Sequence, residues 1–260
     1  MKERLLVLAK AVPEISSKYE SLVCVAGITD SGEWRRIYPI PWKVFWGTSG
    51  QKFKKKYWIE YETAGHGDYR PESVRVKPET IRSLEEAKFS DIEGLIKERL
   101  TTIDELSNSG PSVTSLGAVE PKELIDFAPT TNAHYKELVE MSGQKDLSGN
   151  KAMKLDIPEY KYRYIFKDAK GERKPHENLC EDWEVGELYR NCKRYMQSGK
   201  YKDENEIHQK VKEKMLAKIT ENGHFYFVAG SHFKFPTYMI VGVIYPKKAD
   251  LCSERAGVLK

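Results

Sequence analysis

The chain has 260 residues, with 43 lysines and arginines against 39 aspartates and glutamates, for a formal net charge of +4. That length can bury a core without disulfide or metal staples, and so small a basic excess does not by itself imply a polyanionic partner. Cysteines stand at 24, 180, 192 and 252 with no C-x-x-C spacing, the N-terminal apolar run is too short for a signal peptide, and no stretch approaches the ~20 apolar residues of a membrane span. The expectation is a cytoplasmic protein with reduced thiols and no membrane contact.

Residues 4–12 (RLLVLAKAV) predict a first strand, ended by Pro13. A second runs over 19–29, with Leu22, Cys24, Ala26 and Ile28 on one face. DSGE at 30–33 is turn chemistry, because Gly32 can take positive φ. A third strand, 34–42, must end or become an edge at Pro39 and Pro41, which have no N–H for a ladder. Strands at 57–65 and 72–78 complete a β-rich first third. From Ser90, S-D-I-E predicts a capping box, and Ile92, Leu95, Ile96, Leu100, Ile103 and Leu106 recur at helical spacing, so one long helix is expected before the turn at 107–112.

Residues 115–129 read as extended segments. The polar stretch 129–155, with a short helix at 133–142, is the expected domain seam. A strand at 161–167, a turn at 169–173 and a returning strand at 176–180 follow. Val185, Leu188, Tyr189, Cys192, Tyr195 and Met196 form one helical stripe, and Ile207, Val211, Met215, Leu216 and Ile219 another over 204–221. The last predicted unit is a hairpin, 224–230 and 237–246, whose second strand is almost wholly apolar and therefore central and covered on both faces. No internal repeat is visible. The fold class is α+β: a β-rich N-terminal part with one long helix (1–128), a polar connection (129–155) and a C-terminal α/β part (156–260), unless these form one continuous domain.

Aromatic and basic residues interleave in WRRIYPIPWKVFW and QKFKKKYW. Trp34, Arg36 and Tyr38 share one strand face, which suits base stacking beside a guanidinium. With Arg35, Lys43, Lys52, Lys54, Lys55 and Lys56 they define a candidate surface for single-stranded nucleic acid. The ordinary alternative is buried rings rimmed by solvated lysines. The second cluster is PHENLCEDWEV. Asp182 and Glu184 sit where a helix starts, as a cap and a first-turn acid would. Alternatively His176, Asp182 and Glu184 converge as a catalytic site, with Asp182 and Glu184 holding Mg²⁺ or Mn²⁺. His176 and Cys180 have an H-x3-C spacing, but Cys192 belongs to the apolar stripe, which argues against zinc. Ser231, His232 and Lys234 make either a solvated turn or a phosphate grip. The leading expectation is nucleic-acid binding. A metal-dependent nuclease or other phosphoester hydrolase is the alternative, and a protein-interaction module the third.

Overall fold

The computed structural model describes residues 1–13, 22–41, 46–47, 50–51, 53–142, 157–170, 172–221, 223–247 and 250. Its first unit is made of β1 (Lys2–Lys10), β2 (Leu22–Thr29), β3 (Trp34–Pro41), β4 (Tyr57–His66) and β5 (Ser73–Val76). They pair in the order β1-β2-β3-β5-β4, and β4 pairs back onto β1, which closes a barrel. The β3–β5 pair is parallel and the other pairs are antiparallel. A further strand, β6 (Arg82–Glu86), lies along β4. Leu5 and Val7 point into the barrel with Val23, Val25, Ile37 and Ile59, while Leu6, Leu8 and Ala9 point out into a second core. Both faces of β1 are therefore buried, which is why its sequence is continuously apolar rather than alternating. Pro39 and Pro41 stay within β3, where it pairs with β2 but has already left β5, which meets only Arg36 and Ile37.

The long helix expected from Ser90 is instead two helices. α1 (Phe89–Lys97) and α2 (Ile103–Ser109) are separated by β7 (Leu100–Thr101), which pairs in parallel with Ala118 and Val119 of β8 (Leu116–Val119). Thr102 Oγ1 accepts from Glu105 N, and the Glu105 carboxylate accepts from Thr102 N, so a capping box restarts the helix there. Ser90 caps nothing: the N-cap of α1 is Lys88, whose side chain makes no capping bond.

The second unit continues with β9 (Glu123–Thr131), α3 (Tyr135–Ser142), β10 (Tyr160–Lys167), β11 (His176–Cys180), α4 (Trp183–Gln197), α5 (Glu204–Lys212), β12 (Tyr226–Ser231) and β13 (Tyr238–Ile244). Strand order is β9-β10-β11-β13-β12-β8-β7, with β11 and β13 parallel. The consecutive β8 and β9 act as one broken first strand, since β8 pairs with β12 and β9 with β10. In the first unit β1 does the same, holding β4 with its first half and β2 with its second. The two units thus share one connectivity, which no sequence repeat announces. The stretch 129–155 begins inside β9, which pairs with β10, and runs on through α3; its residues 143–155 lie outside the described residues. The chain passes from the first sheet to the second between β6 and β7.

The barrels pack tightly together. Leu6, Leu8 and Ile28 of the first meet Leu116, Val228 and Val241 of the second, with Phe89, Ile92 and Ile96 of α1 beside them. At about 1.5–3 kcal/mol per fully buried large aliphatic side chain, such a face holds two barrels in one geometry. Trp183, the first residue of α4, plugs the first barrel's interior. The apolar second strand of the final hairpin is also explained: β13 lies between β11 and β12 and packs on β1, so it is covered on both sides. Among the described residues no helix is long and apolar enough to cross a membrane.

Candidate nucleic-acid interface

The acids of the 176–184 stretch do not converge on His176. His176 opens β11 and Asp182 follows its far end, roughly 20 Å away at ~3.3 Å per strand residue. Asp182 is the N-cap of α4, accepting from Glu184 N at 2.9 Å. Its other oxygen accepts from Val243 N at 2.7 Å and from Lys55 Nζ at 2.6 Å. Lys55 also reaches the half-exposed Glu184 at 3.1 Å and the Val243 carbonyl at 3.1 Å. Burial disfavours the Lys55 ammonium, yet the carboxylates of Asp182 and Glu184 outweigh it and hold this lysine above its ordinary pKa. The ammonium thus stands between the two carboxylates where a divalent ion would have to sit. A cavity of about 80 Å³ adjoins this pair, lined by Leu188, Lys214, Met215 and Tyr245 among others. Ligand pockets run to about 300–1,000 Å³, so this is a packing defect at the seam, not a substrate site.

The candidate surface at 34–56 is largely consumed by the fold. Arg36 is buried and donates to the Ser115 carbonyl at 2.9 Å across the barrel boundary. Arg35 is paired with Glu3 at 3.2 Å and Glu33 at 2.5 Å. Trp34 packs against the inter-barrel core, and Tyr38 is half-buried. Lys55 is committed to Asp182, and Lys56 donates to the Tyr245 carbonyl. Lys54 remains exposed, beside the Tyr57 ring. Lys43 and Lys52 lie outside the described residues.

A different aromatic group is exposed. The strand 4–5 loop of each barrel, 67–72 in the first and 232–237 in the second, comes to the same place. Tyr69 is 52% exposed, Phe233 43% and Phe235 60%, against the burial usual for such rings. Tyr69 OH donates to the Phe233 carbonyl at 3.4 Å, and the Arg70 guanidinium lies 5.8 Å from the Phe233 ring centre. Both loops are stiffened from below. Arg70 is buried, donates to the Ser231 carbonyl at 3.2 Å and is clamped by Asp68. Gly65, at φ 108°, turns β4 toward the loop, and Asp68 N donates to Ser73 Oγ at 3.2 Å. In the second loop His232 Nδ1 accepts from Lys234 N at 3.0 Å and Phe235 N at 3.3 Å, with the imidazole 5.0 Å from the Phe235 ring. His232 is thus the loop's own brace, which leaves Lys234 as its exposed cation.

Sequence reasoning stopped at Ser231, His232 and Lys234 and passed over Phe233 and Phe235. The signal was available: in HFKFP two rings flank a lysine in a turn, where no core can bury them. Tyr69 had no such signal, because its partner loop is remote in sequence.

The family model described as "Domain of unknown function (DUF8757)" matches residues 98–258, more than half of the chain, and the chain belongs to that family. A second, "Domain of unknown function (DUF8758)", matches residues 1–104. The two matches meet where the topology passes from one barrel to the other. No curated protein matches the chain in sequence. Among solved structures, a chain of a replication protein A heterotrimer bound to ssDNA is similar at 10% identity over 99% of this chain and 68% of that one. Its TM-score is 0.26, too low for the likeness to carry any argument.

Proposed function

We propose that this member of the DUF8757 family binds single-stranded nucleic acid by stacking bases on Tyr69, Phe233 and Phe235. The observation that carries the reading is the meeting of the two strand 4–5 loops, which brings the exposed Tyr69 to the loop that carries the exposed Phe233 and Phe235. The strand order 1-2-3-5-4-1, with a parallel third and fifth strand, follows the five-stranded Greek-key barrels known as OB-folds, whose strand 2–3 face and 1–2 and 4–5 loops take oligonucleotides or oligosaccharides. Every base offers a π-face, so ring stacking tolerates any sequence. Positive charge here is modest: Lys234 is exposed and Arg70 is neutralised by Asp68. Binding is therefore stacking-led, with a shallow salt dependence.

The test is fluorescence anisotropy of labelled single-stranded DNA and RNA oligonucleotides titrated with the full chain. Replacing Phe233 and Phe235 together by Ala is expected to weaken binding at least tenfold without lowering the melting temperature. Lys234→Ala is expected to reduce the slope of log K against log salt by about one. No saturable binding of either nucleic acid, or affinity indifferent to the double replacement, overturns the reading.

A further inference from the structure

His176 keeps different company from that expected of it. Its Nε2 lies 3.1 Å from Asp168 Oδ1 and 3.2 Å from Glu172 Oε1. Asp104, in the first turn of α2, brings a third carboxylate, and ligand atoms of Asp104, Glu172 and His176 all lie within 4.8 Å of one another. The three carboxylates come from separate parts of the second barrel: α2, the end of β10 and the turn before β11. Their placement is fixed. Asp168 Oδ2 accepts from Ile103 N at 2.6 Å, which locks the start of α2 onto this turn, and Asp168 N donates to Glu172 Oε2 at 3.2 Å.

The charges do not balance. Asp168 has a side chain 1% exposed and Glu172 one of 16%, and among the described residues neither they nor Asp104 is paired with a lysine or arginine. Asp182, the other buried acid among the described residues, has Lys55, and the half-buried Asp68 has Arg70. Here one imidazole pairs with two carboxylates, and a third stands beside them.

We infer that Asp104, Glu172 and His176, with Asp168 beside them, form a binding site for one divalent transition-metal ion, Mn²⁺ or Zn²⁺. One imidazole nitrogen among carboxylate oxygens suits either ion. Mg²⁺ and Ca²⁺, which prefer all-oxygen sites, fit less well. The ion joins α2 to the β10–β11 turn and neutralises the acids there. It lies at the opposite end of β11 from Asp182 and Glu184, and it does not depend on the nucleic-acid reading.

The test is calorimetric titration of the full chain, stripped with EDTA and dialysed, with MnCl₂, ZnCl₂ and MgCl₂ in turn. Mn²⁺ or Zn²⁺ is expected to bind at one equivalent, at least tenfold more tightly than Mg²⁺. Asp104 is exposed, so Asp104→Asn leaves the apo fold intact while removing a ligand; Glu172→Gln removes a second. Each is expected to weaken Mn²⁺ or Zn²⁺ binding at least tenfold, with the apo melting temperature of Asp104→Asn unchanged. A loss smaller than tenfold in Asp104→Asn, no binding to the wild-type chain, or Mg²⁺ binding as tight as the other two overturns the site.

Discussion

Lys55 Nζ and Asp182 Oδ2 stand 2.6 Å apart at the seam of the two barrels, each side chain less than 5% exposed. One residue comes from the approach to β4 and the other from the end of β11, so the pair ties the barrels as well as capping α4. Asp182→Ala removes the cap, the acceptor for Val243 N and the counter-ion of a buried lysine together. A cap alone is worth about 0.5–2 kcal/mol, whereas breaking a buried ion pair costs about 3–5 kcal/mol. The larger figure is expected here. Asp182→Asn keeps an acceptor for Glu184 N but leaves Lys55 short of charge, so it restores only part of the loss. Adding Lys55→Met to Asp182→Asn is expected to cost less than the two changes summed, by about 1 kcal/mol or more. Urea midpoints of the four proteins give the answer, and strict additivity would show that the pair is not coupled.

The backbones of the barrels also meet directly. A Cβ on Gly242 of β13 would fall 2.5 Å from the Leu8 carbonyl oxygen and 3.0 Å from Ala9 Cβ of β1. Neither neighbour is the end of a flexible side chain, so the strands themselves must part. Gly242→Ala is expected to cost about 1–3 kcal/mol by overpacking. Gly94→Ala is the control. It lies within α1 with nothing near its would-be Cβ, and it is expected to stabilise by about 0.5–1 kcal/mol. Thermal melts that moved both variants the same way would contradict this account of the interface.

How far the sequence could be read follows from where its determinants lie. The five first-barrel strands and the final hairpin were legible because alternation, turn residues and apolar runs are local. The cap on α4 was legible for the same reason, since Asp182 needs only its own helix. Barrel closure was not, because β1 contacts β4 by pairing Leu5 with Ile59, and nothing local dictates that pair. The split of the long helix was missed although T-I-D-E at 102–105 announces it, since a continuous apolar stripe outweighed a second cap. The candidate surface looks more exposed in the sequence than it is in the fold for one physical reason. Trp34, Arg36 and Lys55 read as surface only while the second barrel, which covers them, is unknown.

Lys10 supplies a test in pH. It is 2% exposed, and burial lowers its ammonium to about 8 from an ordinary 10.5. The unfolded chain therefore holds this proton more tightly than the folded one. Between pH 8 and 10.5 the unfolded state binds more protons, so stability rises with pH across that window; below 8 the contribution is lost. The rise amounts to about 3 kcal/mol at ~1.36 kcal/mol per pKa unit. Lys56, also lowered to about 8 by burial but more exposed, adds a smaller rise of the same sign. Lys10→Met is expected to be more stable than wild type at pH 7 and to gain less between pH 8 and 10. Parallel denaturation curves at all pH values would show that Lys10 stays charged in the fold.

Trp34 and Phe235 separate the two surfaces that aromatic residues suggest. Trp34 lies in β3 and packs against the shared core formed by Leu6, Ile28 and their neighbours. Its truncation removes buried area and leaves a gap between barrels, so Trp34→Ala is expected to cost about 3 kcal/mol or more of stability, toward the lower end for a ring only partly buried. Phe235 is 60% exposed at a loop tip and contributes little to the core. Phe235→Ala is expected to leave the melting temperature within about 2 °C of wild type, as a surface change of less than ~0.5 kcal/mol would. The same variant is expected to lose about 1–3 kcal/mol of affinity for a single-stranded oligonucleotide if the ring stacks on a base. Melting curves and anisotropy titrations on both variants form one experiment. If Trp34→Ala kept its stability and lost binding while Phe235→Ala kept both, the stacking surface would lie on β2 and β3 and not on the paired loops.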